Sequence, residues 1–116
     1  MASFEPSDIL DILECMEGFL QRNRPPEEIR SKVDLGYRME GLSILIFEIR
    51  PQWGKPETIL EHPFAKTTYI KTKKLWKVFW MRASGNWESY GPTPTVKSVS
   101  HFVKLVDEDK HHCFKG

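Results

Sequence analysis

Residues 64–90 read FAKTTYIKTKKLWKVFWMRASGNWESY, and the fold turns on how they are taken. The stretch is rich in β-branched and aromatic side chains, which suit a pleated, half-buried surface. It holds three of the four tryptophans, Trp76, Trp80 and Trp87. It also carries Lys66, Lys71, Lys73, Lys74, Lys77 and Arg82 with no acidic residue before Glu88. One segment therefore supplies both a core sheet and the chain's concentrated positive charge. Strands are predicted over residues 65–72, 75–83 and 87–90. The Lys73-Lys74 connection lacks the glycine that a two-residue mirror-image turn favours, so a wider loop is expected. In the middle strand Leu75, Phe79 and Met81 share one face, and Trp76, Val78 and Trp80 the other. Apolar residues on both faces mark a central strand covered on both sides.

Working back toward the N-terminus, a period of two begins at Asp34. Leu35, Tyr37 and Met39 alternate with Gly36, Arg38 and Glu40, Glu40-Gly41 makes a turn, and SILIFEIRPQW returns as the second arm of a hairpin. Leu45, Phe47 and Ile49 share one face of that arm; Ile44, Ile46, Glu48 and Arg50 share the other. Pro51 is expected to end the pairing, because proline has no N–H to donate. Residues 52–63, punctuated by Gly54, Pro56 and Pro63, read as a long irregular segment ordered by Trp53 and Ile59-Leu60.

The two ends of the chain have helical period. Ile9, Leu10, Ile12, Leu13, Met16, Phe19 and Leu20 line one face of a helix, with Ser7 as its expected N-cap and Asp8, Asp11, Glu14 and Glu17 turned away. That helix ends before Arg24-Pro25-Pro26, and a short second one begins at Pro26. After the expected stop Gly91-Pro92-Thr93-Pro94, Val96, Val99, Phe102, Val103 and Val106 resume the period, capped by Thr95 or Ser98. The helix runs into Asp107-Glu108-Asp109, acids that favour fraying at a negative dipole end. Residues 110–116 read as a polar, flexible tail. Helices at either end of a strand meander indicate the α+β class, with an antiparallel sheet of about five strands and the helices on one face.

At 116 residues the chain has the length of a single domain able to bury a core without staples. Its 40% hydrophobic and 28% charged composition is that of a globular protein. A net charge of +1 points to no polyanionic partner through bulk charge, so any basic surface is local. No apolar run approaches the roughly 18 residues of a membrane span. Cys15 and Cys113, in a sequence that opens on no secretory leader, read as reduced thiols of a cytoplasmic protein.

The runs FEIRPQW, HPFAKTTYIKTKKLWKVFWMRA, WESY, VDEDK and CFKG together are similar to a family of small, mostly bacterial proteins known only as a domain of unknown function, DUF3024. The resemblance extends from about Arg24 to the C-terminus. It implies a single-domain bacterial protein and brings with it no activity, cofactor or site residue.

Chemistry must therefore be read from the residues. Lys66, Lys71, Lys73, Lys74, Lys77 and Arg82 lie among Tyr69, Trp76, Trp80, Trp87 and Tyr90. Lysines track a phosphate backbone and exposed aromatics stack on bases, so nucleic acid is the expected ligand. In the competing reading the tryptophans are core and the lysines keep sheet edges unpaired. A second constellation, Asp34 with Glu48 and Arg50, has the carboxylates of a Mg²⁺-dependent nuclease, with arginine where such chemistry favours lysine. Its competitor is a plain Glu48–Arg50 ion pair. Trp53, Arg50 and His62 are the chemical content of the loop over residues 50–63, the candidate for a small-molecule or peptide pocket.

His62, His101, His111, His112 and Cys113 have no metal-ligand spacing, and neither metal nor cofactor is expected. Glycine loops and nucleophile elbows are absent from the sequence. The reading is a binding or accessory protein rather than an enzyme. Its expected partners are nucleic acid or, failing that, a protein partner or second copy meeting an apolar patch on an uncovered sheet face.

Overall fold

The computed structural model describes residues 4–114. Its elements run α1 (Pro6–Asn23), a 3-10 turn (Glu27–Ile29), β1 (Asp34–Glu40), β2 (Ser43–Gln52), β3 (Lys55–Ile70), β4 (Leu75–Met81), β5 (Trp87–Ser89), β6 (Thr95–Val96) and α2 (Val99–Glu108). The strands form one antiparallel sheet in the order β1-β2-β3-β4-β5, and β6 also pairs with β4. This is the expected α+β meander between two helices. Among the described residues no helix is long and apolar enough to cross a membrane.

Residues directly opposite in an antiparallel pair share a face, so the register sorts the sheet into two sides. One carries Tyr37, Ile44, Ile46, Ala65, Thr67, Tyr69, Trp76, Val78 and Trp80. Both helices pack here. Ile12, Met16 and Phe19 of α1 and Val99, Phe102, Val103 and Val106 of α2 join Ile44, Ile46, Ala65, Trp76 and Val78 in one core. Buried Thr67 spends its hydroxyl on the Lys77 carbonyl, 2.8 Å away. The other side carries Gly36, Arg38, Leu45, Phe47, Lys66, Lys77, Phe79, Met81 and Trp87, and no helix among the described residues covers it.

The expected second cover over β4 is therefore replaced by long charged side chains. The Arg38 guanidinium lies 5.1 Å from the Phe47 ring centre, and the Lys66 ammonium lies 4.8 Å from both Phe79 and Trp87. Such side chains bury an apolar stem and keep the charged head in water, which leaves Leu45 and Phe47 buried without a second layer.

Several boundaries move from expectation. Pro6 stands at the first position of α1 behind Glu5, so the helix opens before Ser7 and has no side-chain cap. Proline suits that site because it has no N–H to leave orphaned. Leu10, placed on the apolar face by its spacing, is 68% exposed. Glu40 still pairs with Ser43, so the turn falls on Gly41-Leu42, with Gly41 at φ 59°. The wide β3–β4 loop is as expected: Ile70 pairs with Leu75 across residues 71–74.

The largest correction concerns residues 52–63. They are not irregular: β2 continues through Pro51 to Gln52, turns at Trp53-Gly54, and returns as the first half of β3. Beyond Ile49 the ribbon has neither β1 nor β4 beside it, so Pro51, Pro56 and Pro63 sit where outer edges are unpaired. Edge positions and bulges are the places where a strand accepts proline, and the register indeed shifts at Ile46/Phe47 and at Pro51/Gln52. The result is a two-stranded arm reaching out from the sheet.

Nor is residues 91–94 a stop. Tyr90 donates its N–H to the Val78 carbonyl at 2.9 Å, and the Pro94 carbonyl accepts from Val78 N–H at 2.9 Å. The Gly91–Pro94 stretch is thus an outward detour, after which β6 rejoins β4 and claims Val96 for the sheet. Ser98 then caps α2, its Oγ accepting from the His101 N–H at 3.3 Å.

Candidate binding surface on the open sheet face

The fold separates the sequence's lysines from most of its aromatics. Lys71, Lys73 and Lys74 are all exposed in the four-residue loop, which is closed by the N–H groups of Lys73 and Lys74 donating to the Ile70 carbonyl at 3.2 and 2.8 Å. Lys77 is exposed on the open face of β4, and Lys66 is half-buried beside it on β3. Burial pushes the Lys66 ammonium below its ordinary pKa, with Glu40 opposing. Trp76 and Tyr90, by contrast, are buried at 8% and 2% exposure. Tyr69 packs on Trp76 with ring centres 5.0 Å apart, on the helix side. Trp87 and Phe79 alone, of the tryptophans and phenylalanines on β4 and β5, stand with the lysines.

The charges differ in a further way. Arg22, Arg24, Arg38, Arg50 and Arg82 each have a carboxylate partner. Lys66, Lys71, Lys73, Lys74 and Lys77 have no ion-pair partner among the described residues. Arg82, grouped with them by sequence, is drawn off to Glu88 at 3.6 Å. The open face thus divides into a β1–β2 side where Arg38 is neutralised by Glu40 and Glu61, and a β3–β4 side of unpaired cations.

Asp34, Glu48 and Arg50 do not converge. Asp34 is opposite Ile49 and Glu48 is opposite Leu35, so their side chains leave opposite faces of the hairpin. Glu48 is paired with Arg50, as their alternation allows. Asp34 is clamped by Arg24, whose Nε and Nη2 donate to its two oxygens at 2.8 Å each. Those bonds, and one from the Leu35 N–H, hold the carboxyl below the usual carboxylate range against an opposing effect of burial. No group of three or more His, Cys, Asp or Glu side chains among the described residues is placed to share a metal ion.

The clamp has a pH consequence. A carboxyl whose folded pKa is depressed contributes stability that is present above its unfolded value of about 3.9 and lost as pH falls through the folded value. Asp34→Asn is expected to lower the urea midpoint at neutral pH and to converge on the wild type in acid. An equal difference at both pH values would remove the ion pair as the cause.

The arm separates the remaining candidates. Trp53 stands at its tip, 97% exposed, whereas His62 is opposite Glu48 at its base. They are about 17 Å apart at the usual strand rise. Between α1, the start of β1 and the arm's base lies an open groove of about 420 Å³, lined by Pro25, Val33, Leu35, Glu48, His62 and Phe64 among others. Sequence reasoning put His62 in a pocket but missed the walls, which come from distant segments.

No curated protein and no solved structure matches this chain. A family model does match it, over residues 4–116, and the chain belongs to the family described as a domain of unknown function, DUF3024.

Proposed function

We propose that the protein is a non-catalytic binding module that holds single-stranded nucleic acid on the β3–β4 side of its open sheet face. The observation that carries this reading is the set of five lysines without ion-pair partners among the described residues on β3, β4 and the loop between them, with Lys66 standing over Phe79 and Trp87 on the open face. Lysines in a loop and on adjacent strands can follow a phosphate backbone while the two rings meet bases. The half-buried Lys66 would turn from its aromatic contacts to a phosphate. Cys15 and Cys113 are both free, as suits a reducing, cytoplasmic compartment of a bacterial cell.

Mg²⁺-dependent cleavage by Asp34 and Glu48 has less support, since the two carboxylates leave opposite faces and each is held by an arginine. A protein partner remains the second reading, favoured by the half-buried apolar side chains of Phe79, Met81 and Trp87 on the same open face.

The test is a titration of labelled single-stranded oligonucleotide against the wild type and the Lys71→Ala/Lys73→Ala/Lys74→Ala variant over a range of salt. Loss of three phosphate contacts lowers the slope of log affinity on log salt by about 2. The substituted positions are exposed loop sites, so the folded state survives. A folded variant with unchanged affinity and slope would eliminate this surface.

A further inference from the structure

The arm made by the end of β2 and the start of β3 has no role in the binding surface just described. It is nevertheless where exposed apolar bulk concentrates. Of the five large apolar side chains exposed among the described residues, Trp53 (97%), Ile59 (57%) and Leu60 (36%) lie on it. A free monomer rarely leaves a tryptophan fully in water at the tip of a projection. Its own fold offers that indole nothing to pack against, because the ribbon beyond Ile49 has no neighbouring strand.

We propose that the arm is a dimerisation device. Two copies of this chain pair about a two-fold axis with their arms antiparallel, and each Trp53 seats in the groove at the base of the other's arm. The lengths agree: the tip lies five residues from Glu48, about 17 Å of strand, so antiparallel arms set each tip beside the other's base. The chemistry agrees as well. Pro25, Val33, Leu35 and Phe64 give the groove apolar walls, and the Glu48 carboxylate at its edge can accept the indole N–H.

The arm's charges favour a second copy over nucleic acid. Arg50 and Lys55 are balanced by Glu57 and Glu61, so the arm has no net charge with which to hold phosphates. A buried tryptophan covers on the order of 150–250 Å². Counted with the walls it meets, and in both copies, this gives roughly 600–1,000 Å², and Leu60, on the same face of the arm as Glu48 and His62, extends the contact toward the ~1,200 Å² of a specific interface.

Sedimentation equilibrium of the full chain tests the proposal on the wild type, Trp53→Ser and Trp53→Phe. The wild type is expected to dimerise with Kd on the order of micromolar. Trp53→Ser weakens this about thirtyfold or more, as truncation of an interface hot spot does, and Trp53→Phe restores most of it. The urea midpoint of Trp53→Ser under monomeric conditions stays at the wild-type value, because Trp53 makes no intramolecular packing. A wild type that remains monomeric far above micromolar concentration overturns the proposal. So does a dimer indifferent to Trp53→Ser. If the protein is monomeric and Trp53→Ser instead weakens oligonucleotide binding, the arm is a nucleic-acid contact and the proposal also fails. The triple lysine variant should dimerise as the wild type does, which separates this reading from the proposed function.

Discussion

Phe102→Ala is expected to lower the unfolding free energy by about 3–5 kcal/mol, the usual loss when a core phenylalanine is truncated. Phe102 is fully buried on α2, in the layer where the two helices meet the central strands. The cost combines lost transfer of the ring from water with the cavity left between elements that cannot easily close on it. The sheet is held by its own ladders, whereas α2, ten residues long, depends on its packed face for stability. Against a total of about 5–15 kcal/mol for a domain, such a loss leaves little margin. Urea titration followed by near-ultraviolet circular dichroism measures it, and an unchanged slope with a lowered midpoint is the signature of a stability effect. Leu10→Ala provides the contrast. It sits in the same kind of apolar repeat but is 68% exposed, and should shift stability by no more than about 0.5 kcal/mol. Equal effects from both would mean that α2 does not dock as described.

The contrast between Phe102 and Leu10 also shows how far periodicity reaches. Spacing places both helices correctly, because only a helix brings positions three and four apart onto one face. It does not fix the width of that face, and Leu10 falls outside the stripe that the sheet covers. In the strands, alternation sorts Trp76, Val78 and Trp80 from Leu75, Phe79 and Met81 correctly, yet says nothing about which set the helices will choose. Both sets are apolar, and the choice lies in long-range packing. The basic loop was legible because residues 71–74 are adjacent in sequence. The absence of carboxylate partners was not, since it depends on where Glu40, Glu61 and Glu88 fall across the sheet.

Residues 52–63 hid the arm for a local reason. Pro51, Pro56 and Pro63 are poor ladder members, and only the missing outer neighbours make them acceptable. The separation of Asp34 from Glu48 is different, being implicit in the turn. Any two-residue connection pairs even-numbered residues of β1 with odd-numbered residues of β2, so those carboxylates diverge once the turn length is fixed. The groove walls had no local signal at all: Pro25, Val33 and Phe64 come from three separate segments.

Phe114→Ala is expected to cost about 3 kcal/mol or more, the lower end of the range for a buried phenylalanine. The sequence around it, KHHCFKG, has the look of a polar tail, and for a tail the same substitution would be neutral within about 0.5 kcal/mol. The structure supplies three reasons for the larger value. The chain leaves α2 through Asp109 in a left-handed turn, φ 40°, which redirects it toward the sheet rather than into solvent. The Asp109 Oδ1 then accepts the Phe114 N–H at 3.1 Å, closing a compact loop, and the His112 N–H donates to the Asp109 carbonyl at 3.0 Å. Phe114 itself is 4% exposed and sits 4.8 Å from the Tyr90 ring, the residue whose N–H bonds Val78 on the central strand. Truncating the ring should therefore lower the urea midpoint and speed hydrogen exchange at the Tyr90 amide, because the ring shields the strand edge where that bond is made. A neutral variant with unchanged exchange would return residues 110–114 to the status of a tail and leave Tyr90 to be buried by α2 and β6 alone.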